Sequence, residues 1–252
     1  MGPPATIIGR YALYGEIAAG GMASVHYGRL MGPVGFSRTV AIKRLHNQFA
    51  RDPEFVAMFL EEARLAARIR HPNVVPTLDV VALEHEAFLV MDYVPGESLA
   101  KLLRAARPVG EIPLDVVSAI VCGVLHGLHA AHEATDERGA PLCIVHRDVS
   151  PQNVIVGIDG VPRVLDFGVA KAANRGITTR SGQMKGKLAY MAPEQLRSNT
   201  VDRRTDVYAA GIVLWETLTL KRLFPGDNEA MIITAALEQT IAAPSSVRPG
   251  LP

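Results

Sequence analysis

Cysteine is nearly absent from this chain: 252 residues hold two, Cys122 and Cys143. Two thiols so far apart make neither a disulfide framework nor a metal site, and reduced thiols in a cytoplasmic protein are expected. An excess of either charge is also missing. Lys and Arg total 26 against 25 Asp and Glu, a net charge of +1. That balance argues against a nucleic acid or an acidic membrane surface as the main partner, since both usually demand a basic surplus. No charged segment precedes an apolar run at the start, so no signal peptide is expected. Met1–Thr6 (MGPPAT) matches the myristoylation pattern loosely, with Pro3 directly after Gly2. Residues 1–10 are expected to form a disordered tail. The longest uncharged stretch, 116–132, carries three His, one Ser and two Gly. It is short for a membrane span and is expected to be a buried helix.

What is present is an ordinary globular composition, 48% hydrophobic and 20% charged, enough to bury a sizeable core. Short strands are expected at 11–17, 25–30, 38–45, 75–83 and 87–93. A helix is expected from Asp52, an N-cap followed by Pro53 and Glu54, to about Arg70. Val94-Pro95-Gly96 breaks the pattern. Beyond it, helical segments dominate at 116–132, 205–220 and 228–239. The expected fold is α+β and two-lobed: a small five-stranded antiparallel sheet with one helix (11–93), a hinge (94–96) and a larger, mainly helical lobe (97–252).

Several constellations carry chemistry. The turn Ala18-Ala19-Gly20-Gly21-Met22-Ala23-Ser24-Val25 joins two strands, and its small residues let backbone N–H groups approach an anion; a plain hairpin is the alternative. In Val40-Ala41-Ile42-Lys43, Ala41 and Lys43 share a face. Lys43 alone reads equally as an edge charge. Phe55, Phe59, Glu62, Ala66 and Ile69 form one helical stripe with Glu62 in its middle, and a carboxylate there needs a partner. Lys43 is the nearest in chain order.

The strongest cluster is His146-Arg147-Asp148-Val149-Ser150-Pro151-Gln152-Asn153, then two strands around Asp159-Gly160, then Asp166-Phe167-Gly168. With those two residues as the turn, Asn153 and Asp166 come side by side at the open end of a hairpin; a bulge at Pro162 shifts the register by one. An amide and a carboxylate converging there suit Mg²⁺ shared with substrate phosphates. Each alone reads also as a cap. His126, His129 and His132 recur on one helix, and packing is preferred to a metal site.

Taken in order, these motifs resemble the eukaryotic-like (Hanks-type) protein Ser/Thr kinases, especially the bacterial ones. The match runs from the Gly-rich turn through Lys43, Glu62, His146-Arg147-Asp148 with Asn153, and Asp166-Phe167-Gly168 to Ala192-Pro193-Glu194 and Asp206 with Gly211, about 11–225. The resemblance implies transfer of the ATP γ-phosphoryl group to Ser or Thr of protein substrates, with Mg²⁺. It implies ATP between the lobes, its phosphates under Ala18–Ala23, its adenine between Val25, Ala41 and Ile155. Met91 would be the gatekeeper, Asp92 and Val94 the hinge contacts, and Ser98 a ribose contact. Lys43, held by Glu62, would bind phosphate; Asn153 and Asp166 would hold the metal; Asp148 would be the base. Arg147 implies control by phosphorylation between Asp166 and Glu194, at Thr179 or Ser181 rather than Thr178, and self-association for autophosphorylation in trans.

The chain departs from the pattern at four places. Ala18 and Ala23 replace glycines. Ser150 stands where a Lys is usual, and Lys187 where a Thr is usual. These last two look exchanged, so that Lys187 supplies the cation and the Ser150 hydroxyl the bridge. Finally, the chain ends at Pro252, before the last helices of the family's larger lobe, so the lobe is expected to be incomplete. The alternatives are a pseudokinase serving as nucleotide-binding scaffold and a small-molecule phosphotransferase.

Overall fold

Alternation along Val40-Ala41-Ile42-Lys43 sets the first half of the molecule. Val40 and Ile42 are buried with Ile8, Tyr11, Leu13, Phe88 and Val90 in one core. Ala41 and Lys43 face the other side. The computed structural model describes residues 6–83, 86–167, 183–197 and 201–251. Gly168, Thr178, Thr179 and Ser181 lie outside the described residues. The chain divides into two compact units, one of residues 1–70 and 75–94, the other of 71–74 and 95–252.

The first unit is a six-stranded antiparallel sheet in the order β1-β2-β3-β4-β6-β5. Its strands are β1 (Thr6–Ile8), β2 (Tyr11–Ala19), β3 (Ala23–Met31), β4 (Ser37–Leu45), β5 (Thr77–Leu83) and β6 (Glu86–Asp92). Five strands were expected. The sixth is β1, placed by the sequence reading in a disordered tail. It pairs Thr6–Ile8 with Leu13–Tyr11, and Ile8 joins the core. Two helices follow β4: the single turn α1 (Asn47–Ala50) and α2 (Pro53–Ala66). Asp52 caps α2 as expected, its side chain accepting from the Glu54 N–H. The helix stops at Ala66, short of the expected Arg70.

The second unit begins with β7 (Gly96–Ser98) and α3 (Leu99–Ala106), then α4 (Leu114–His132). A hairpin of β8 (Val154–Gly157) and β9 (Pro162–Val164) joins β7 in a small sheet. The rest is helical: α5 (Gln183–Leu188), α6 (Pro193–Arg197), α7 (Arg203–Thr219), α8 (Glu229–Glu238) and α9 (Pro244–Val247). Residues 71–74, expected in the first lobe, pack here instead. Val74 bridges Val164, and the Asn73 side chain donates to the Pro162 carbonyl at 2.8 Å.

Among the described residues, α4 alone is long and apolar enough to cross a membrane. Its face of Val117, Ile120, Val121, Val124, Leu128 and Ala131 is buried, packed on α7 and β9. Gly123 and Gly127 permit this close approach. A Cβ at Gly127 would lie 2.5 Å from the Asn73 carbonyl oxygen, a backbone atom that cannot swing away. Gly211, inside α7, has nothing within 4 Å of such a Cβ. Opposite effects are therefore expected from one substitution. Gly127→Ala destabilises by about 1–3 kcal/mol through overpacking, whereas Gly211→Ala stabilises by up to about 1 kcal/mol through helix propensity. Thermal melts of both variants check this; equal shifts of the same sign would contradict the packing.

Candidate active site

Each unit presents its own cluster of the expected residues. In the first, β3, β4 and β6 pair in the register Val25↔Lys43, Tyr27↔Ala41, Ala41↔Met91 and Lys43↔Leu89. Paired residues and alternate residues share a face, so Val25, Ala41, Lys43 and Met91 lie on one side of the sheet. The core of Val40, Ile42, Phe88 and Val90 lies on the other. Glu62 comes from α2 to meet Lys43: Nζ to Oε1 is 3.4 Å, with side chains 15% and 13% exposed. The partner that a carboxylate on a buried stripe requires is thus the one expected.

The Gly-rich turn is the end of the β2–β3 hairpin, Ala18 opposite Val25 and Ala19 opposite Ser24. The Gly20 N–H donates to the Ala23 carbonyl at 2.8 Å, and the His46 N–H to that of Met22 at 2.9 Å. The His46 ring contacts the Gly20 carbonyl at 3.0 Å. His46 was not foreseen as an anchor of this turn; nothing in its spacing marks it. At the other end of the sheet, the Asp92 N–H donates to the Pro76 carbonyl at 3.0 Å, and its carboxylate pairs with Arg38 at 2.9 Å.

In the second unit, β7 and β8 put Ser98 opposite Ile155. The Ser98 hydroxyl accepts from the Lys101 N–H as the N-cap of α3. The loop 146–153 is held by three buried groups. The Asp206 side chain, fully buried in α7, accepts the N–H groups of His146 and Arg147, both at 2.8 Å. His132 Nε2 lies 2.7 Å from the same carboxylate, which gives this histidine a structural partner. Among the described residues no group of three or more His, Cys, Asp and Glu side chains gathers as a metal site built from them alone would need. His146 is buried, its Nε2–H donating to the Leu165 carbonyl at 2.7 Å while Nδ1 accepts from the Asp148 N–H at 3.2 Å. Its ring packs on Phe167.

Arg147 and Asp166 adopt left-handed backbone, with φ of 63° and 50°, a costly conformation for residues with a side chain. At Arg147 the strain is held by bonds on both sides, from its N–H to Asp206 and to its carbonyl from Gln195 Nε2 at 3.0 Å.

Asp148 lies where these constraints converge. Its side chain is 8% exposed. The Asn153 amide nitrogen donates to its carbonyl at 2.7 Å and to Oδ2 at 3.0 Å. Lys187 Nζ reaches Oδ2 at 2.7 Å. The β8–β9 register corrects one expectation. Partners are Val154↔Val164 and Ile155↔Arg163, one residue off the two-residue turn, because the loop has three residues with Gly160 at φ 75°. Asn153 therefore opposes Leu165, whose N–H donates to the Asn153 carbonyl at 2.9 Å, and Asp166 follows directly.

Ser150 contrasts with Lys187. Its hydroxyl is buried and has no hydrogen-bond partner among the described residues, so it does not bridge to Lys187 as the exchange of types predicted. Ser150→Ala removes an unpaired buried hydroxyl and is expected to leave the melting midpoint unchanged or raise it; a fall of several degrees would reveal a bond.

The segment that carries Lys187 is tied down beyond it. Tyr190 donates to Glu216 at 2.7 Å and contacts Arg222; burial, with the Glu216 charge, pushes its phenol up. Thr205 donates to Glu194 at 2.8 Å. None of these ties was legible as spacing, since their partners lie 11 to 32 residues apart.

Residues 11–248 match the family described as protein kinase domain. The chain belongs to that family. Tyrosine-protein kinase MasK of Myxococcus xanthus is 44% identical over 97% of this chain, which covers 38% of that protein. Probable serine/threonine-protein kinase pknA2 of Bifidobacterium longum is 35% identical over 99% of the chain and 31% of its own length. Serine/threonine-protein kinase PknL of Mycobacterium tuberculosis is 35% identical over 96% and 57%. The chain thus spans less than two thirds of each curated relative. Among solved structures, the Mycobacterium tuberculosis PknI kinase domain superposes with a TM-score of 0.69 at 26% identity, covering 99% of this chain and 86% of that one. The kinase fold is accordingly α+β, a sheet-bearing unit and a mainly helical one.

Proposed function

We propose that this kinase domain transfers the γ-phosphoryl group of ATP to Ser and Thr hydroxyls of protein substrates in the cytoplasm. The observation that carries the reading is Asp148: a nearly buried carboxylate in a strained, fully tied loop, held between an amide and an ammonium. Such a group is positioned to accept one proton.

The acceptor hydroxyl gives its proton to the Asp148 carboxylate as its oxygen bonds to phosphorus. The bond from phosphorus to the bridging oxygen breaks, and its electron pair leaves on ADP. Lys43, held by Glu62, neutralises the non-transferred phosphates. Val25, Ala41, Met91, the Asp92 and Val94 backbone, Ser98 and Ile155 would make the nucleoside contacts. The donor set suits Mg²⁺: Asn153 commits its amide nitrogen to Asp148, which leaves its oxygen as the ligand atom, and Asp166 adds a carboxylate. Mg²⁺, when bound, supplies charge neutralisation at the phosphates. Most of the catalytic effect is positioning and electrostatics.

Lys43→Met is expected to abolish transfer, a loss of at least about a hundredfold, with the fold retained; activity within threefold of the parent would contradict the role of the Lys43–Glu62 pair. Phosphorylation at Thr179 or Ser181, with Arg147 as the phosphate partner and autophosphorylation between two copies, belongs to this proposal.

A second reading, Tyr as acceptor, is favoured by the name of the 44% identical relative. Phosphoamino-acid analysis of protein labelled with ATP and Mg²⁺ separates the two. Phosphoserine and phosphothreonine are expected; phosphotyrosine alone would overturn the acceptor assignment. Nucleotide binding without any label would establish the pseudokinase alternative.

A further inference from the structure

We propose that Lys187 is a catalytic residue: its ammonium both holds the base and faces the phosphoryl group in flight, delivered from α5 rather than from the catalytic loop. This rests on the kinase reading above. Three observations carry it. Lys187 Nζ lies 2.7 Å from Asp148 Oδ2, close enough for a charge-assisted hydrogen bond. The Asp148 side chain is 8% exposed, whereas that of Lys187 is 41% exposed, so the pair sits at a boundary where the cation is reachable by a ligand. Among the loop residues that follow Asp148 there is no cation: residue 150 is a serine, its hydroxyl buried without a hydrogen-bond partner among the described residues, and 149 and 151–153 are Val, Pro, Gln and Asn; Arg147, which precedes Asp148, has its Nε buried.

Charge bookkeeping then singles out Lys187. The acceptor hydroxyl must come within hydrogen-bond reach of Asp148, so phosphorus arrives one bond further on. A cation already bonded to Asp148 is within a few ångströms of the phosphoryl oxygens at that moment. When Asp148 takes the proton its charge is lost, and the ammonium is released from the ion pair to the oxygens of the group being transferred. The interaction strengthens as the reaction proceeds, which is the condition for catalysis rather than mere binding.

There is also a consequence for control. Lys187 is on the first helix after the segment 168–182. Any change that withdraws α5 removes the cation from Asp148, so the placement of this helix sets catalytic competence through one residue.

The test uses the full 252-residue chain with Lys187→Met and Lys187→Arg, and two readouts. In steady state with a peptide substrate, Lys187→Met should lose about a hundredfold in kcat with the KM for ATP changed less than about threefold, and Lys187→Arg should recover at least a tenth of parental kcat. Separately, an amine-reactive ester labels the parent, and mass spectrometry follows modification at Lys187. Mg²⁺ with a non-hydrolysable ATP analogue should slow labelling there several-fold more than Mg²⁺ with ADP, since only the former presents a γ-phosphoryl group. Lys187→Met within threefold of the parent in kcat, or equal protection by both nucleotides, would overturn the proposal. A parent that binds nucleotide but transfers nothing would instead refute the kinase reading, and the labelling comparison would still decide whether Lys187 faces the γ-phosphoryl group.

Discussion

Asp148→Asn is expected to lower turnover about a thousandfold, within the range contributed by a positioned general base, while the dissociation constant for ATP changes by less than about threefold. The asymmetry follows from what Asp148 touches. It meets Asn153, Lys187 and, through its N–H, the His146 ring, which belong to the second unit; in the proposed mechanism it acts on the acceptor hydroxyl and never on the nucleotide. Asparagine keeps the size and the hydrogen-bonding shape but cannot take a proton. The loop remains tied through Asp206, so the melting midpoint should move little. Kinetic assay beside an equilibrium nucleotide titration checks both halves. Full activity in the variant would remove Asp148 from the mechanism.

Asp206→Ala should act in the opposite sense, on stability first. The carboxylate is fully buried and accepts two backbone N–H groups at 2.8 Å and His132 at 2.7 Å. Removing it leaves those donors buried without a partner. Loss of one side of a buried charged network costs about 3–5 kcal/mol, and for a chain of this length each kcal/mol corresponds to roughly 2–4 °C. A fall in melting midpoint on the order of 10 °C is expected. Activity should vanish even below the new midpoint, because the left-handed backbone at Arg147 persists only while its bonds hold it. Asp206→Asn, which retains one acceptor, should fall between. A variant that melts with the parent would show that the network is dispensable.

The fold was legible where periodicity is strong. The alternation at 40–43 and the cap at Asp52 each named an element, because burial of one face and satisfaction of a helix end are local demands. The edge strand Thr6–Ile8 escaped notice: three residues after a Pro-rich start carry too little pattern, and what secures them is pairing to Tyr11–Leu13. The one-residue error in the β8–β9 register has a similar origin. Asp-Gly reads as a two-residue turn, yet Gly160 serves here as the left-handed residue of a three-residue loop.

The candidate site was legible as residue types in order, less so as contacts. Lys43–Glu62 followed from a carboxylate on an apolar stripe. Lys187 stood out as a departure from the family's pattern, and the structure brings it to Asp148. Ser150 was read wrongly as a bridge, because a hydroxyl's orientation is set by packing that spacing does not encode. The scaffold of the loop, His132, Asp206 and Gln195, depends on partners 48 to 74 residues distant, which only the folded chain brings together.

The central claim is that the group around Asp148 moves a phosphoryl group onto a hydroxyl side chain. Incubating the parent and Asp148→Asn with γ-labelled ATP, Mg²⁺ and a protein substrate, then mapping phosphorylated residues by mass spectrometry, tests it most directly. The account predicts label on Ser or Thr with the parent and almost none with the variant. Equal labelling by both proteins, or saturating ATP binding by the parent with no transfer, would contradict it.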